Sequence, residues 1–560
     1  MLLNKMDRRE KRLIQLFLAV AALVVFIGMF IPVMEIDAAQ YASIAKQMWQ
    51  EKSFLQIFHR NLNYLDKPPL LFWLSGLSMG IFGFNDFAYK LPSVLFSILG
   101  VWSVFGFAKH YYGERTGYWA ALMYATNVAF FLFNADIRTD TIIINLLIFS
   151  VYQLILYRDN GSKMAFLSAF AGIGLSMLAK GPLGLVFSVL AVGGDVLMHR
   201  NWKFIFRWEW LVGLLIVSLI LLPMCIGLYQ QYDAQPNNWV NGEKGVSGLK
   251  FYFWTQSFGR LTGDSIWATA YSNNPDTFYL TTTFLWAFLP WTPLFAVAFF
   301  NKIIEWVKGR FKVENREEWI CFFAFLLPLI ALSRSGYQLN HYIYIVMPFT
   351  SVMSAQLLVR LSGKGGLVKW SWRGYAWFFT LAVAGLSCFI LNTVFPSVIL
   401  WPLLVALGMG FFLFRKQKEA ASYQLTYTVL LCFVMLNGSF YPNLLEFQLG
   451  KKISAIYNAH KTDKSRLYFY KTGASHSLDF YQNHWVSGFT YENTDSMLGV
   501  DHVFVYTNKN GLKSLKENDI PFQVIDSMDY FRVTLLNWDF LIPETRENVI
   551  RKRYFIELSE

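Results

Sequence analysis

The segment MEIDAAQYASIAKQMW, residues 34–49, decides the fold because it directly follows an apolar run at 13–33 that is long enough to cross a bilayer. A transmembrane helix needs about 20 predominantly apolar residues. The segment places two carboxylates, Glu35 and Asp37, within a few residues of the hydrocarbon and then continues as a short amphipathic stretch. We interpret residues 39–49 as a helix that lies in the membrane interface.

The composition of the whole chain indicates a polytopic membrane protein. Its 560 residues are 55% hydrophobic and 15% charged, whereas an average soluble chain is about 25% charged. We predict an α-helical membrane protein with about 13 transmembrane helices, each formed by one apolar run. These runs lie at 13–33, 91–108, 116–134, 141–157, 164–180, 182–198, 210–230, 277–300, 319–334, 341–360, 375–394, 398–414 and 423–441.

The distribution of positive charge predicts the orientation. The net charge is +12, but most Lys and Arg lie in short loops between alternate apolar runs, which is typical of cytoplasmic loops and not of nucleic-acid binding. The N-terminus is then cytoplasmic, and the first run, which lacks a small-residue cleavage site, is a retained helix. Three long segments face outward: 34–90, 231–276 and the chain after 442.

The last part of the chain differs in character from the rest. It is polar, and the runs SRLYFYKT, HVFVYTN and FQVIDS alternate in the manner of strands between turn residues. We therefore predict a transmembrane domain at 1–442, with 34–90 and 231–276 as outer catalytic loops, and a small periplasmic α/β domain at 443–560. A second interfacial helix is expected in DKPPLLFWLSGLSMGIFG of the first outer loop. The four cysteines lie inside apolar runs, which favours buried apolar residues over disulfides or metal ligands.

Polar residues converge on the outer face. Charged groups near hydrocarbon are costly and usually face a bundle interior or a wet cavity, so their common level predicts a site. Carboxylates there are suited to act as general bases or to bind a cation, and Lys and Arg are suited to hold a phosphate. Structural alternatives remain open: a capping box for Asp37 with Gln40, a solvated turn for Asp66-Lys67, mutual pairing of Arg138 with Asp140, snorkelling of Lys180 to the headgroups, and an interface role for His341.

Several short motifs occur in a recognisable order. An acid four residues before Tyr41 is followed by DKPP, by RTD at the start of a run, by LAKGP, and by FW…R ahead of LPW. Over residues 10–360 this order resembles the polyprenyl-phosphate-dependent glycosyltransferases of the GT-C fold. The resemblance is closest to the bacterial aminoarabinose (lipid A) transferases and the protein O-mannosyltransferases.

The resemblance implies roles for individual residues. Asp37 matches the proposed catalytic base of the family, Asp140 matches its second outer-loop Asp, and Lys67 and Arg260 match residues of the phosphate site. With the convergence of charges, this gives a predicted site with three parts. The catalytic residues are Asp37 and Asp140; the phosphate-binding residues are Lys67, Arg260, Arg138 and Lys180; the cavity residues are Tyr41, Asp66, Asp264, Gln338, His341 and Tyr342.

The chain departs from the family at the residues that hold zinc. The family pairs a Glu with a His, and the matching positions here are Asp66 and Ser257, a poor zinc pair. We therefore assign no cofactor and no bound metal from the sequence, and leave open a weakly held divalent metal at Asp66 or Asp264. Gln338 and His341 stand where the family usually has Lys and Thr, which leaves the sugar and the acceptor open.

The implied function is transfer of a sugar from a polyprenyl (undecaprenyl) monophosphate carrier to an acceptor at the outer face of the bacterial inner membrane. Lipid A or another envelope glycolipid is the expected acceptor, and a protein acceptor is the alternative. A lipid-linked glycan transporter would show repeated halves and midplane charges, which the sequence lacks. The expected partners are the donor, the acceptor and membrane lipids, with no nucleic acid, and the chain is expected to be a monomer.

Overall fold

The computed structural model describes residues 6–240, 242–259, 276–313, 317–362, 365–490 and 502–558. In this part of the chain every predicted run contains helix. Within the described ranges, eight helical segments are long and apolar enough to cross a membrane: Arg8–Gly28, Asp86–Tyr112, Thr139–Asn160, Lys163–Lys180, Glu209–Asp233, Asn340–Leu361, Leu367–Val394 and Ala420–Gln448. Shorter apolar helices are Leu70–Phe82, Leu183–Met198, Ile320–Ser333 and Leu400–Phe414. The chain is a multi-pass membrane protein, and the number of spans stays a prediction.

Two predicted spans are each divided into two helices. The run at 116–134 breaks at Asn127, whose side chain caps the second helix by accepting from the backbone N–H of Phe130. The run at 277–300 breaks around Pro290, which has no backbone N–H to continue a helical ladder. The four resulting helices are Glu114–Ala125, Val128–Ala135, Tyr279–Ala287 and Thr292–Lys308.

The first outer segment contains both helices predicted for it. Helix Asp37–Glu51 packs against helix Leu70–Phe82, which begins after Pro69, and an antiparallel hairpin pairs Phe58–His59 with Leu62–Asn63. Nearly every residue from Ala38 to Met48 is buried. The amphipathic helix is thus covered on its polar side as well, by the C-terminal part of the chain predicted as a domain at 443–560, which we name the outer domain after its predicted location.

The outer domain confirms the predicted small α/β unit. Three strands coincide with the predicted runs: Ser465–Tyr470, His502–Asn508 and Phe522–Tyr530. The sheet also contains Ser487–Gly488 and Arg551–Leu558, which the sequence did not indicate. Its spatial order is Ser487–Gly488, Ser465–Tyr470, His502–Asn508, Arg551–Leu558, Phe522–Tyr530, parallel among the first three and antiparallel afterwards. Helices Gly450–His460 and Lys509–Glu517 accompany it; the boundary at 443 stays a prediction.

One short helix of the outer domain, His476–Tyr481, docks on the first outer segment. Buried Lys46 donates to the carbonyl of Phe480 at 2.8 Å and to that of Gln482. Glu35 accepts from the backbone N–H of Ser477 at 2.8 Å. The segment that carries Asp37 is therefore held between the membrane helices and the outer domain.

At the opposite end of the bundle a buried arginine ties three elements together. Arg115, whose side chain is 3% exposed, donates to Glu10 at 2.9 Å, to Ser362 Oγ at 2.8 Å and to Glu419 at 3.1 Å. Its partners lie at the start of the first span, after helix Met347–Leu361 and before helix Ala420–Met435. The guanidinium thus compensates two carboxylates that would otherwise repel each other.

Replacing Arg115 with alanine is expected to destabilise the protein by about 3–5 kcal/mol, because removing one partner of a buried ion pair leaves uncompensated charge. Unfolding monitored in detergent measures the effect. The matched control is Lys11→Ala, which removes a half-exposed pair with Glu114 at 2.8 Å and should leave the unfolding curve nearly unchanged, because exposed ion pairs contribute little to stability. Equal unfolding curves for the two variants would contradict the assignment.

Candidate active site

A polar cavity of about 180 Å³ lies where the first outer segment meets the ends of three helical segments of the membrane domain. Most of the predicted site residues line it. The lining residues are Asp37, Tyr41, Asp66, Lys67, Arg138, Asp140, Lys180, Tyr337, Leu339, His341 and Tyr342. Tyr337 and Leu339 were not predicted. Gln338 does not line the cavity and donates to the Ser333 carbonyl at 3.0 Å. Arg260 and Asp264 lie outside the described residues.

Arg138 links the acids on one side of the cavity. Its Nη1 donates to Asp37 Oδ2 at 2.7 Å, and its Nη2 lies 2.8 Å from Asp136 Oδ2. Nη1 also lies 3.5 Å from His341 Nδ1. Burial alone would lower the pKa of Arg138, but the carboxylates of Asp136 and Asp37 outweigh burial and raise it. The guanidinium is therefore a fixed positive charge that orients the Asp37 carboxylate.

Asp37 is the first residue of its helix, whose N-cap position is occupied by Ile36 without a side-chain capping hydrogen bond. The capping-box alternative is therefore wrong: the carboxylate is directed to Arg138 instead. The Asp37 side chain is 40% exposed, whereas that of Asp140 is 9% exposed. Asp37 is thus the more accessible of the two predicted catalytic acids.

Lys180 and Asp140 form an ion pair on the other side of the cavity. The same carboxylate lies 3.7 Å from His341 Nε2, and the Lys180 ammonium lies 4.4 Å from the centre of the Tyr342 ring. Lys180 is the last residue of its helix, which Gly181 ends with a φ of 83°. Two structural alternatives raised by the sequence are therefore wrong. Arg138 binds Asp37 and not Asp140, and Lys180 pairs with Asp140 in the cavity instead of extending to the lipid headgroups.

Lys67 stands at the cavity wall just before the proline pair that precedes helix Leu70–Phe82. Its ammonium donates to Asp66 at 2.7 Å, and the Lys67 side chain is 16% exposed. The Asp66 carbonyl accepts from the side chain of Gln256, which links the first and second outer segments. Because an ammonium has three N–H donors, the bond to Asp66 does not exhaust the capacity of Lys67 to bind a phosphate.

An apolar groove opens from the polar cavity, and four residues border both: Lys67, Asp140, Lys180 and Tyr342. The groove walls come mainly from the helices that begin at Thr139, Leu183 and Ile320. Its apolar lining is Ile143, Ile144, Leu183, Val186, Phe187, Leu190, Phe258, Ala331, Leu332 and Ile345. Sequence reasoning missed the groove, because its residues have the same apolar character as those that face lipid or the core.

The residues at the matching zinc position do not fit a metal ion. The Asp66 carboxylate is paired with the Lys67 ammonium at 2.7 Å, and the position that matches the family's His is Ser257, which supplies no imidazole. Among the described residues, no three His, Cys, Asp or Glu side chains of the cavity wall place ligand atoms within 4.8 Å of one another. No chemical step is therefore assigned to a metal there.

Comparison with known proteins relates this arrangement to membrane glycosyltransferases. The family described as dolichyl-phosphate-mannose-protein mannosyltransferase matches residues 66–226. An undecaprenyl phosphate-alpha-4-amino-4-deoxy-L-arabinose arabinosyl transferase 2 of Pseudomonas fluorescens (strain Pf0-1) is 26% identical over 343 residues, 60% of this chain and 56% of the relative. A transferase of the same name without the number, from Edwardsiella ictaluri (strain 93-146), is 24% identical over 59% of this chain and 56% of its own length. The chain thus spans little more than half of these relatives.

The overall structure is similar to that of a solved relative. The crystal structure of ArnT from Cupriavidus metallidurans bound to undecaprenyl phosphate matches with a TM-score of 0.72 at 16% identity, covering 97% of each chain. At this identity the likeness establishes the fold. The chain therefore has the GT-C fold, and its predicted resemblance to the polyprenyl-phosphate-dependent aminoarabinose and protein mannosyltransferase families is confirmed.

Proposed function

We propose that this protein transfers a glycosyl group from a polyprenyl monophosphate carrier to an acceptor at the outer face of the bacterial inner membrane. The observation that carries the proposal is the junction of the polar cavity with the apolar groove, bordered by Lys67 and Lys180. A polyprenyl-phosphate sugar has the same division into a charged, sugar-bearing head and a long apolar tail. The groove suits the tail, and the cavity suits the head.

The phosphate would lie against the two lysines at the junction. A phosphodiester donor carries one negative charge, and a second develops on the leaving phosphate as the bond to the sugar breaks. Cations placed at that point stabilise the transition state more than the ground state. Asp140 would hold Lys180 in place through their ion pair, and Arg260 remains a predicted further contact.

Asp37 would act as the general base. The acceptor hydroxyl attacks the anomeric carbon, its proton passes to the Asp37 carboxylate, and the electron pair of the broken carbon–oxygen bond goes to the phosphate. A base must reach the proton that it removes, and Asp37 is the more exposed acid. Arg138, which donates to Asp37 at 2.7 Å, would fix the carboxylate orientation.

The proposed orientation places this chemistry outside the cytoplasm. The N-terminus would be cytoplasmic and the outer domain periplasmic, in agreement with the basic character of every second loop between the predicted spans, which puts all the basic loops on the side of the N-terminus. The groove would then open into the outer half of the bilayer, where a lipid-linked donor is accessible.

A cysteine introduced at Lys461, which is exposed on the outer domain, should react with a membrane-impermeant maleimide in spheroplasts.

We propose lipid A or another envelope glycolipid as the acceptor. Support comes from the curated relatives, which are named as aminoarabinose transferases. The description of the family that matches residues 66–226 favours a protein acceptor as the second candidate. Mass spectrometry of lipid A and of envelope proteins from a deletion strain distinguishes the two. Transfer by the purified protein from a polyprenyl-phosphate sugar tests the activity itself, and its absence with both acceptors would reject the proposal.

Replacing Lys67 with alanine is expected to weaken binding of the polyprenyl monophosphate by about 10–150-fold. This corresponds to the loss of one charge-assisted hydrogen bond, worth about 1.5–3 kcal/mol. Isothermal titration calorimetry of the protein in detergent with polyprenyl monophosphate measures the change in the dissociation constant. Lys461→Ala serves as the control because Lys461 is exposed and lies far along the chain in the outer domain. Equal affinity of Lys67→Ala and the parent would exclude the phosphate role.

A further inference from the structure

Two histidines and an aspartate meet at the junction between the first outer segment and the outer domain. His59 comes from the hairpin at Phe58–Asn63, and His476 and Asp479 lie one turn apart on the docking helix His476–Tyr481. One potential ligand atom from each lies within 4.8 Å of the others. The two imidazole rings have centres 4.9 Å apart. None of the three lines the candidate active site.

The imidazoles carry ring nitrogens that no described residue satisfies. His59 Nε2 and His476 Nδ1 are both inaccessible to solvent and make no hydrogen bond in the described part of the chain. Leaving a buried polar atom without a partner costs about 1–3 kcal/mol, so such atoms call for a ligand. Imidazole nitrogens are the commonest metal ligands among protein side chains.

Asp479 completes the group as a buried carboxylate whose own surroundings are ordered. Its Oδ1 accepts from the backbone N–H of Val486 at 2.9 Å, and its Oδ2 accepts from Arg60 Nε at 2.7 Å and lies 2.6 Å from Arg60 Nη2. Carboxylates that bind metals are normally hydrogen-bonded in this way by outer partners. A carboxylate has about four lone-pair positions, so these three contacts leave one position, on Oδ1, for a metal ion. The Glu35 carboxylate, which accepts from Ser477 N, adds negative charge beside His476.

We propose that His59, His476 and Asp479 bind a divalent transition-metal ion, with zinc as the ion whose ligand preferences they match. Two imidazoles and a carboxylate, with water as a fourth ligand, form a common zinc ligand set. Zinc bonds of about 2.0–2.1 Å place tetrahedral ligands about 3.3 Å apart. The ligand atoms lie within 4.8 Å of one another, so binding requires a further approach, for which the side-chain torsions of the two histidines are the available movement.

The position of the ion gives it a structural role. It cross-links the hairpin of the first outer segment to the outer domain at the helix that docks there. From His59, ring contacts run through Tyr64 at 6.3 Å and Phe72 at 6.0 Å to Tyr41 at 5.9 Å. Tyr41 lines the candidate active site. The ion thus stabilises the first outer segment, which carries Tyr41 of the cavity, and takes no part in the chemistry.

Metal binding to the full chain tests the proposal independently of glycosyl transfer. The protein, purified in detergent without a histidine tag and stripped with a chelator, is titrated with zinc chloride and analysed by mass spectrometry of metals. We expect one zinc per chain and a higher unfolding temperature with zinc, since a ligand of the folded state stabilises it. His59→Gln and His476→Gln should each weaken zinc binding by at least about 100-fold, because even loss of an outer partner costs about 10–100-fold.

The matched control is His460→Gln, because His460 is exposed on helix Gly450–His460 of the same domain. Should the glutamine variants fail to fold, X-ray absorption at the zinc edge of the parent chain still decides the matter, through the imidazole signature of two histidine ligands. The absence of zinc binding by the parent, equal zinc affinity of His476→Gln and the parent, or a zinc spectrum without imidazole would each overturn the proposal. Glycosyl transfer could fail or succeed in any of these cases, so the two proposals are separable.

Discussion

The Asp37→Asn variant should fold, insert in the membrane and bind the carrier, yet lose about 10²–10⁴-fold in kcat, the range that general-base catalysis contributes. Asparagine has the size of aspartate and accepts the hydrogen bond from Arg138, but its amide cannot take a proton from the acceptor. Since the N-cap position of the helix is occupied by Ile36 and not by Asp37, helix stability should not account for the loss. Turnover of a polyprenyl-phosphate sugar, with the unfolding temperature measured on the same preparation, checks this.

Asp136→Asn is the matched control for this variant. Asp136 binds the same guanidinium, with Oδ2 at 2.8 Å from Arg138 Nη2, but it does not line the cavity. Both variants remove one negative charge from the partners of Arg138. A base at Asp37 predicts a large loss only for Asp37→Asn. Near-normal turnover of Asp37→Asn, or an equal loss in both variants, would reject the assignment.

The membrane helices could be predicted from the sequence because their signal is local. Each run carries its own length and apolar composition, and these alone placed helix in every predicted span. The strand Arg551–Leu558 gave no such signal, since RKRYFIEL begins with three charged residues. It is a strand because it pairs on both sides, with His502–Asn508 and Phe522–Tyr530. Partners of this kind are set by tertiary structure.

The same distinction between local signals and tertiary contacts applies to the candidate site. Which charged residues converge could be predicted, because topology assigns loops to one side of the membrane. Which of them pair could not: Arg138 contacts Asp37 across 101 positions of the chain, and Lys180 contacts Asp140 across 40. The spacing of Arg138 and Asp140 suggested a local pair, whereas the fold gives each a distant partner. Such choices depend on helix packing that no short motif contains.

The outer domain shows a further limit of local reasoning. Lys46 lies in an amphipathic stretch and, by its sequence, belongs on a polar surface. In the structure its side chain is buried against the outer domain, where burial lowers its pKa to about 8. The polar side of helix Asp37–Glu51 is therefore an internal interface. The amphipathic pattern correctly indicated that the two sides of the helix have different environments. The environment of the polar side is mainly the interface with the outer domain and not water.

The second large effect is expected from a substitution in the groove, Val186→Trp, which should exclude the carrier tail sterically and weaken carrier binding. Val186 lines the groove on helix Leu183–Met198, and replacing it with tryptophan would fill space that the tail needs. At about 0.8 kcal/mol per buried methylene, displacing one five-carbon isoprene unit costs about 4 kcal/mol, or close to 10³-fold in Kd. Binding of long-chain polyprenyl phosphate should fall by this order. A short-chain analogue that does not reach Val186 should bind equally to variant and parent.

Val189→Trp on the same helix is the matched control. Val189 is 58% exposed and does not line the groove, so the same substitution three residues away adds the same bulk outside the proposed tail site. Comparing the two variants with long and short carriers separates blockage of the groove from a general disturbance of the helix. Loss of the short analogue as well would indicate that the helix has moved. Unchanged binding of the long carrier to Val186→Trp would show that the tail lies elsewhere, and the assignment of the groove would fail.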